Sequence, residues 1–125
     1  MSSSFKGKDL FTCQEWTLEE LETVFELSRD LKLKFKTGQP TEILKNKTLF
    51  MFFFATSTRT RNSFEAAMTQ LGGHAHYLAP RTMRLGDPGA PEAIKDTVGV
   101  LDRYGHAIAI RCYFPNYGEG EKLIR

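Results

Sequence analysis

The sequence predicts an α/β fold: an open, mostly parallel sheet with helices on both faces, a three-layer α/β/α domain. Three observations carry this expectation. The dense apolar run Leu49-Phe50-Met51-Phe52-Phe53-Phe54 shows no polar alternation, which is how a strand covered on both faces reads. Segments of strand and helix character alternate after it. Glycine or proline punctuates the junctions between them. The order β-α-β-α-β then requires right-handed crossovers and parallel strands.

Taken in order, residues 1 to about 16 form a leading segment. Thr17-Leu18-Glu19-Glu20 fits a capping box, with a hydroxyl at the cap and a glutamate three residues on. A helix follows, with an approximate stripe of Leu21, Val24, Phe25, Leu27, Leu31 and Phe35. Lys32, Lys34 and Lys36 gather near its end, where the dipole favours cations, and Gly38 and Pro40 stop it. Thr48 to Ala55 is the first strand. The next helix is expected to bury Phe64, Ala67, Met68 and Leu71, spaced i, i+3, i+4 and i+7, before Gly72-Gly73 ends it. His74 to Ala79 reads as a second strand and residues 80 to 91 as a loop. Ala93 to Tyr104 repeats a helical pattern through Ile94, Val98 and Leu101, Gly105 terminates it, and Ala107 to Cys112 is a third strand.

In an open parallel sheet, ligands bind beyond the carboxyl ends of the strands. Ser57-Thr58-Arg59-Thr60 follows one such end, Arg111 sits at another, and the loop after Ala79 leaves a third. Hydroxyls and guanidinium groups are thereby gathered where a helix begins. A helix N-terminus presents unpaired N–H groups and a partial positive charge, and arginine adds a planar fork that matches phosphate. Two arginines at a helix start oppose the dipole unless an anion joins them. The turn reads as a phosphate cradle.

Ser57-Thr58-Arg59-Thr60-Arg61, followed by Ser63-Phe64-Glu65 and Leu71-Gly72-Gly73, resembles the carbamoyl-phosphate signature of the aspartate/ornithine carbamoyltransferase family. The likeness covers most of the chain, through to the strand ending in Ile110-Arg111. It implies that Ser57, Thr58, Arg59, Thr60 and Arg111 occupy the family's carbamoyl-phosphate positions. It also implies transfer of a carbamoyl group to an amino-acid amine. Gly72-Gly73-His74-Ala75 and Asp102-Arg103-Tyr104 lean towards ornithine as acceptor, with aspartate the alternative and a catalytically inactive, oligomerising anion-binding domain a further one. Family members are more than twice this long, have two α/β domains and place a His-Pro-x-Gln motif beyond the reach of this chain. Residues 1–125 are therefore expected to be a carbamoyl-phosphate domain incomplete at its C-terminus, with Leu123-Ile124-Arg125 inside a starting helix and the acceptor domain absent. A complete small protein is the other reading.

Carbamoyl transfer needs no electron sink, redox centre or metal, so no cofactor is expected. The protein must hold phosphate, polarise a carbonyl and stabilise the charge that grows as an amine attacks. The hydroxyls of Ser57, Thr58 and Thr60 can hold phosphate oxygens. Arg59 can bridge phosphate and the oxygen of the leaving bond, and Arg111 can reach the phosphate or carbonyl side. Arg59, Thr60 and Arg111 are the catalytic candidates; loss of one preorganised oxyanion donor costs about 3–4 kcal/mol at a transition state. Arg61 is read differently, as a structural arginine on the inward side paired with Glu65 at i+4.

The loop Pro80 to Pro91 departs from the family pattern. Relatives extend it into a neighbouring subunit and offer a Lys or Gln there; Arg84 stands before Leu85-Gly86 here, as a substitute or as a plain loop charge. The family implies a homotrimer or a higher multiple. His74 and His76 face one side of a strand, but no third ligand is evident, and His106 reads as a helix-end residue. Phe50 to Phe54 are core rather than a stacking surface for bases.

Composition sets the remaining bounds. The net charge of +2 gives no field for nucleic acid or anionic membrane. Cys13 and Cys112 make no metal or disulfide pattern, and suit a reducing compartment. Met1-Ser2-Ser3-Ser4 lacks the apolar core of a secretory signal, and the run Leu49 to Ala55 is too short to span a bilayer. A cytoplasmic protein is expected. No Gly-x-x-x-x-Gly-Lys-Ser/Thr or Gly-x-Gly-x-x-Gly motif occurs, which argues against a nucleoside triphosphate or a dinucleotide.

Overall fold

The computed structural model describes residues 5–86, 89 and 92–113. The chain divides into two units, Met1–Thr41 and Glu42–Arg125. In the first, α1 spans Leu18–Lys36. Its start is the expected capping box: the Thr17 hydroxyl accepts from Glu20 N–H at 3.2 Å, and the Glu20 carboxylate accepts from Thr17 N–H at 2.9 Å. Lys8 donates to the same carboxylate and lies over the Trp16 ring, which stacks on Phe5. The stripe on α1 is present in sequence, yet the helix buries none of its residues; Phe25 is 58% exposed.

The second unit holds the sheet. Its strands are β1 (Thr48–Phe53), β2 (His74–Leu78) and β3 (Ala107–Arg111), in spatial order β2-β1-β3, and both pairings are parallel. Helices α2 (Arg59–Gln70) and α3 (Ile94–Tyr104) make the connections with the intervening loops. The unbroken apolar run became the central strand because both of its faces need cover, and Leu49 through Phe53 are all buried.

Side chains alternate along a strand, so the two faces of β1 seed two cores. Leu49, Met51 and Phe53 pack with Met68 of α2; Phe50 and Phe52 pack with Ile94, Val98 and Leu101 of α3. Helices therefore cover both faces of the sheet, as the sequence predicts. The stripe on α2 is narrower than its periodicity suggested: Met68 is buried and Leu71 half-buried, but Phe64 is 39% exposed and Ala67 is exposed. Gly72 ends this helix at φ +80°, a conformation that costs glycine nothing.

The loop after β2 is not shapeless. Pro80–Thr82 and Arg84–Gly86 form short 3-10 turns, and Met83 and Leu85 pack against the Phe50/Phe52 side of the core. Residues 87, 88, 90 and 91 lie outside the described residues, as does the expected helix at Leu123-Ile124-Arg125. No described helix is long and apolar enough to cross a membrane.

Candidate functional site

Parallel pairing brings the carboxyl ends of all three strands to one edge of the sheet. Phe53 of β1 is in register with Arg111, the last residue of β3, and Phe54 N–H donates to the Arg111 carbonyl at 2.9 Å. The chain leaving β1 then turns into α2 within a few residues. These two facts place the start of α2 above the end of β3.

The start of α2 has no side-chain cap. Thr58 is its N-cap residue, but the Thr58 hydroxyl makes no capping bond. Its carbonyl instead accepts from both Asn62 N–H, at 3.1 Å, and Asn62 Nδ2, at 2.7 Å. Among the described residues no side-chain cap meets the first N–H groups of the helix, which keep their partial positive charge, and the first turn carries no acidic residue.

Arg111 reaches this turn from β3. Its Nη1 donates to Thr60 Oγ1 at 2.7 Å, its Nε is buried without a hydrogen-bond partner among the described residues, and its guanidinium carbon lies 4.9 Å from the Tyr113 ring centroid. Thr60 accepts from Arg111, so its own hydroxyl proton is left to be donated elsewhere. Thr60 and Arg111 line a cleft of about 270 Å³ together with Phe53, Phe64, Cys112 and Tyr113. The lining thus combines hydrogen-bond donors with aromatic side chains.

Of the candidate residues, the fold brings Thr60 and Arg111 into direct contact. Ser57 is half-buried and Thr58 exposed at the same turn. Arg59 is exposed and pairs with nothing among the described residues, so no contact fixes it over the cleft. Arg84 is exposed in the 3-10 turn after β2; its carbonyl accepts from Glu92 N–H at 3.3 Å, and its side chain meets no described residue of the cleft. Arg61 stands apart, as the sequence reading had it. Its Nε donates to Glu65 Oε1 at 2.9 Å, and its guanidinium stacks 4.0 Å from the Tyr77 ring centroid. It is half-buried rather than fully enclosed.

Two expectations about histidines resolve differently. The rings of His74 and His76 do share a face, in edge contact at 4.8 Å. His106 is not simply a helix-end residue: its Nδ1 accepts from Thr48 N–H at 3.2 Å, which caps the first residue of β1. Tyr113 and Phe64 were missed as cleft residues. The spacing of Phe64 predicts a core position, and Tyr113 lies just past a strand end, where periodicity says nothing.

Comparison with known proteins places this architecture. A family profile described as "Aspartate/ornithine carbamoyltransferase, carbamoyl-P binding domain" matches residues 8–124. An ornithine carbamoyltransferase from Halalkalibacterium halodurans is 49% identical over 108 residues, which is 86% of this chain and 33% of that protein. The solved ornithine carbamoyltransferase of Pyrococcus furiosus superposes with a TM-score of 0.81 at 42% identity, covering 96% of this chain and 38% of that one. The catalytic subunit of M. jannaschii aspartate transcarbamoylase gives a TM-score of 0.73 at 26% identity over 93% of this chain and 38% of that one. The chain thus spans about a third of the length of the curated relatives it matches. With the family's domain profile matched along nearly all of its length, the chain belongs to the aspartate/ornithine carbamoyltransferase family.

Proposed function

We propose that residues 1–125 are the carbamoyl-phosphate side of a carbamoyltransferase, with ornithine the amine acceptor. The observation that carries the reading is the hydrogen bond between Arg111 and Thr60, two residues that line the cleft. It couples a permanent cation to a hydroxyl whose proton is free, beside an uncapped helix start. Phosphate oxygens would take the N–H groups at the start of α2, the hydroxyls of Ser57 and Thr58, and the Arg59 fork. Thr60 and Arg111 would meet the carbonyl oxygen. As the amine adds to the carbonyl carbon, that oxygen gains charge, and donors already in place stabilise it without reorganisation. Collapse of the tetrahedral species expels phosphate, whose departing charge the same cations offset.

Ornithine is preferred because relatives carrying that name match at up to 49% identity, against 26% for the aspartate enzyme compared above. Assembly as a trimer, a site contribution from Arg84 across a subunit boundary and residence in the cytoplasm belong to the same reading. Because the chain spans about a third of those relatives, we expect it by itself to hold the anion with little turnover.

The test is heat unfolding of the 125-residue chain with and without millimolar carbamoyl phosphate, alongside an assay for citrulline after ornithine is added. A ligand that binds only the folded state raises the melting temperature. Protection with little citrulline is the expected result. Absence of protection by both carbamoyl phosphate and inorganic phosphate would overturn the reading. Carbamoylaspartate formed from aspartate, with no citrulline from ornithine, would reassign the acceptor.

A further inference from the structure

We infer that Tyr113 is a positioning residue for the anion site: the Arg111 guanidinium lies over its ring, and this contact holds the cation at the cleft. The inference rests on the phosphate reading above and adds a determinant that neither the signature pentapeptide nor the arginine itself supplies.

Arginine carries five N–H donors in one plane. At Arg111 that plane is constrained in two ways. Within the plane, Nη1 donates to Thr60 Oγ1 at 2.7 Å. A single hydrogen bond leaves the plane free to rotate about it, and Nε is buried with no acceptor among the described residues to prevent this. The second constraint comes from the Tyr113 ring, whose centroid is 4.9 Å from the guanidinium carbon. This second contact restricts the motion of the guanidinium that the single hydrogen bond leaves open. Both residues line the same cleft.

Tyr113 is 56% exposed and belongs to neither apolar core cluster, so its removal would leave no cavity in the packed interior. A phenotype of the ring's loss would therefore be read at the site rather than in the fold. The phenol hydroxyl has no partner among the described residues, so the ring face, and not the oxygen, is the active part.

The test compares the unsubstituted 125-residue chain with Tyr113→Phe and Tyr113→Leu, with inorganic phosphate as probe. Binding is followed by titration calorimetry and the Arg111 Nε–H by NMR. In the unsubstituted chain the Arg111 side-chain signals should be displaced upfield by the ring current; Phe should keep that displacement and Leu abolish it. Phosphate affinity should fall about two- to fivefold in Tyr113→Leu and change by less than about twofold in Tyr113→Phe, the scale of an exposed cation–π contact. Melting temperatures without phosphate should differ by no more than the small amount a single exposed cation–π contact contributes.

An undisplaced Arg111 signal in the unsubstituted chain overturns the inference without recourse to any variant. So does binding unchanged in Tyr113→Leu, or binding lost equally in Tyr113→Phe. Should the unsubstituted chain bind neither phosphate nor carbamoyl phosphate, the phosphate reading fails and this inference fails with it. Phosphate binding of equal affinity in all three chains removes only the role of Tyr113.

Discussion

Arg111 Nη1 donates to Thr60 Oγ1 across 2.7 Å, joining the end of β3 to the first turn of α2. The two residues are 51 positions apart in sequence, and parallel pairing of β1 with β3 is what brings them together. The bond fixes the hydroxyl as acceptor on one side and donor on the other. It also keeps a guanidinium at the sheet edge rather than in bulk solvent.

Replacing that hydroxyl should therefore affect both fold and site. In Thr60→Ala the Arg111 donor loses its acceptor next to a buried Nε; hydrogen bonds to charged groups are worth about 1.5–3 kcal/mol, so a loss near the lower end is expected for a half-exposed pair. Carbamoyl-phosphate protection against heat unfolding should largely disappear. Thr60→Ser keeps the hydroxyl and should retain most of both. Titration calorimetry and melting curves on the two variants check this; equal behaviour of Ser and Ala would show that the hydroxyl does not matter.

Arg61 should behave in the opposite way. It is tied to Glu65 at 2.9 Å and to the Tyr77 ring at 4.0 Å, and Tyr77 in turn meets Phe53 edge-on at 5.7 Å. This chain of contacts clamps α2 to β2. Arg61→Ala removes a partly exposed ion pair and a cation–π contact, together about 1–2 kcal/mol at most. The melting temperature should drop while the protection given by carbamoyl phosphate stays. A variant with native stability and lost ligand protection would make Arg61 a ligand contact instead.

Which of these features could be read from sequence follows from how local they are. The capping box at Thr17 and Glu20, the Arg61–Glu65 pair and the stop at Gly72 depend on residues within one or two turns, and each was legible. The central strand was legible because its apolar run admits no solvent face. Periodicity could not give the width of the buried stripe on α2, since that depends on what packs against it; Ala67 and Phe64 were over-assigned for this reason. Tyr77 under Arg61 and Tyr113 over Arg111 depend on strand register, which no local pattern encodes. The sequence places Ser57 to Thr60 and Arg111 at one rim of the sheet, but only pairing of β1 with β3 singles out Thr60 as the residue Arg111 reaches.

Gly105 shows how a correct boundary can hide its cause. Sequence marks it as the end of α3, yet its φ of −112° is open to any residue. What requires glycine is space: a Cβ there would lie 2.4 and 2.6 Å from two ring carbons of Phe50. Phe50 is buried beneath α3 and cannot swing away freely. Gly105→Ala should therefore destabilise by about 1–3 kcal/mol, the range for overpacking a core. Gly105→Ala combined with Phe50→Leu should recover part of that loss. Denaturant unfolding of the single and double variants checks the coupling; strictly additive losses would show that the ring is not the obstacle.

Acid should loosen the capping box of α1. Lys8 donates to the Glu20 carboxylate, Thr17 N–H donates to it as well, and both hold its pKa below the ordinary glutamate range. A carboxylate whose folded pKa is depressed adds stability above its unfolded pKa. That contribution fades as pH falls through the folded value, because the protonated acid no longer attracts Lys8 or accepts as well from Thr17. The Lys8–Glu20 pair is only part-buried, so added salt should shrink the effect at neutral pH. The helical signal of the chain, followed from neutral pH into the acid range, should thus show a loss that Glu20→Gln lacks, with the two chains converging at the acid end. Lys8→Met should move the midpoint of that loss upward, towards the pH of an unperturbed glutamate. A Glu20→Gln chain that loses helix over the same interval would assign the transition to another carboxylate.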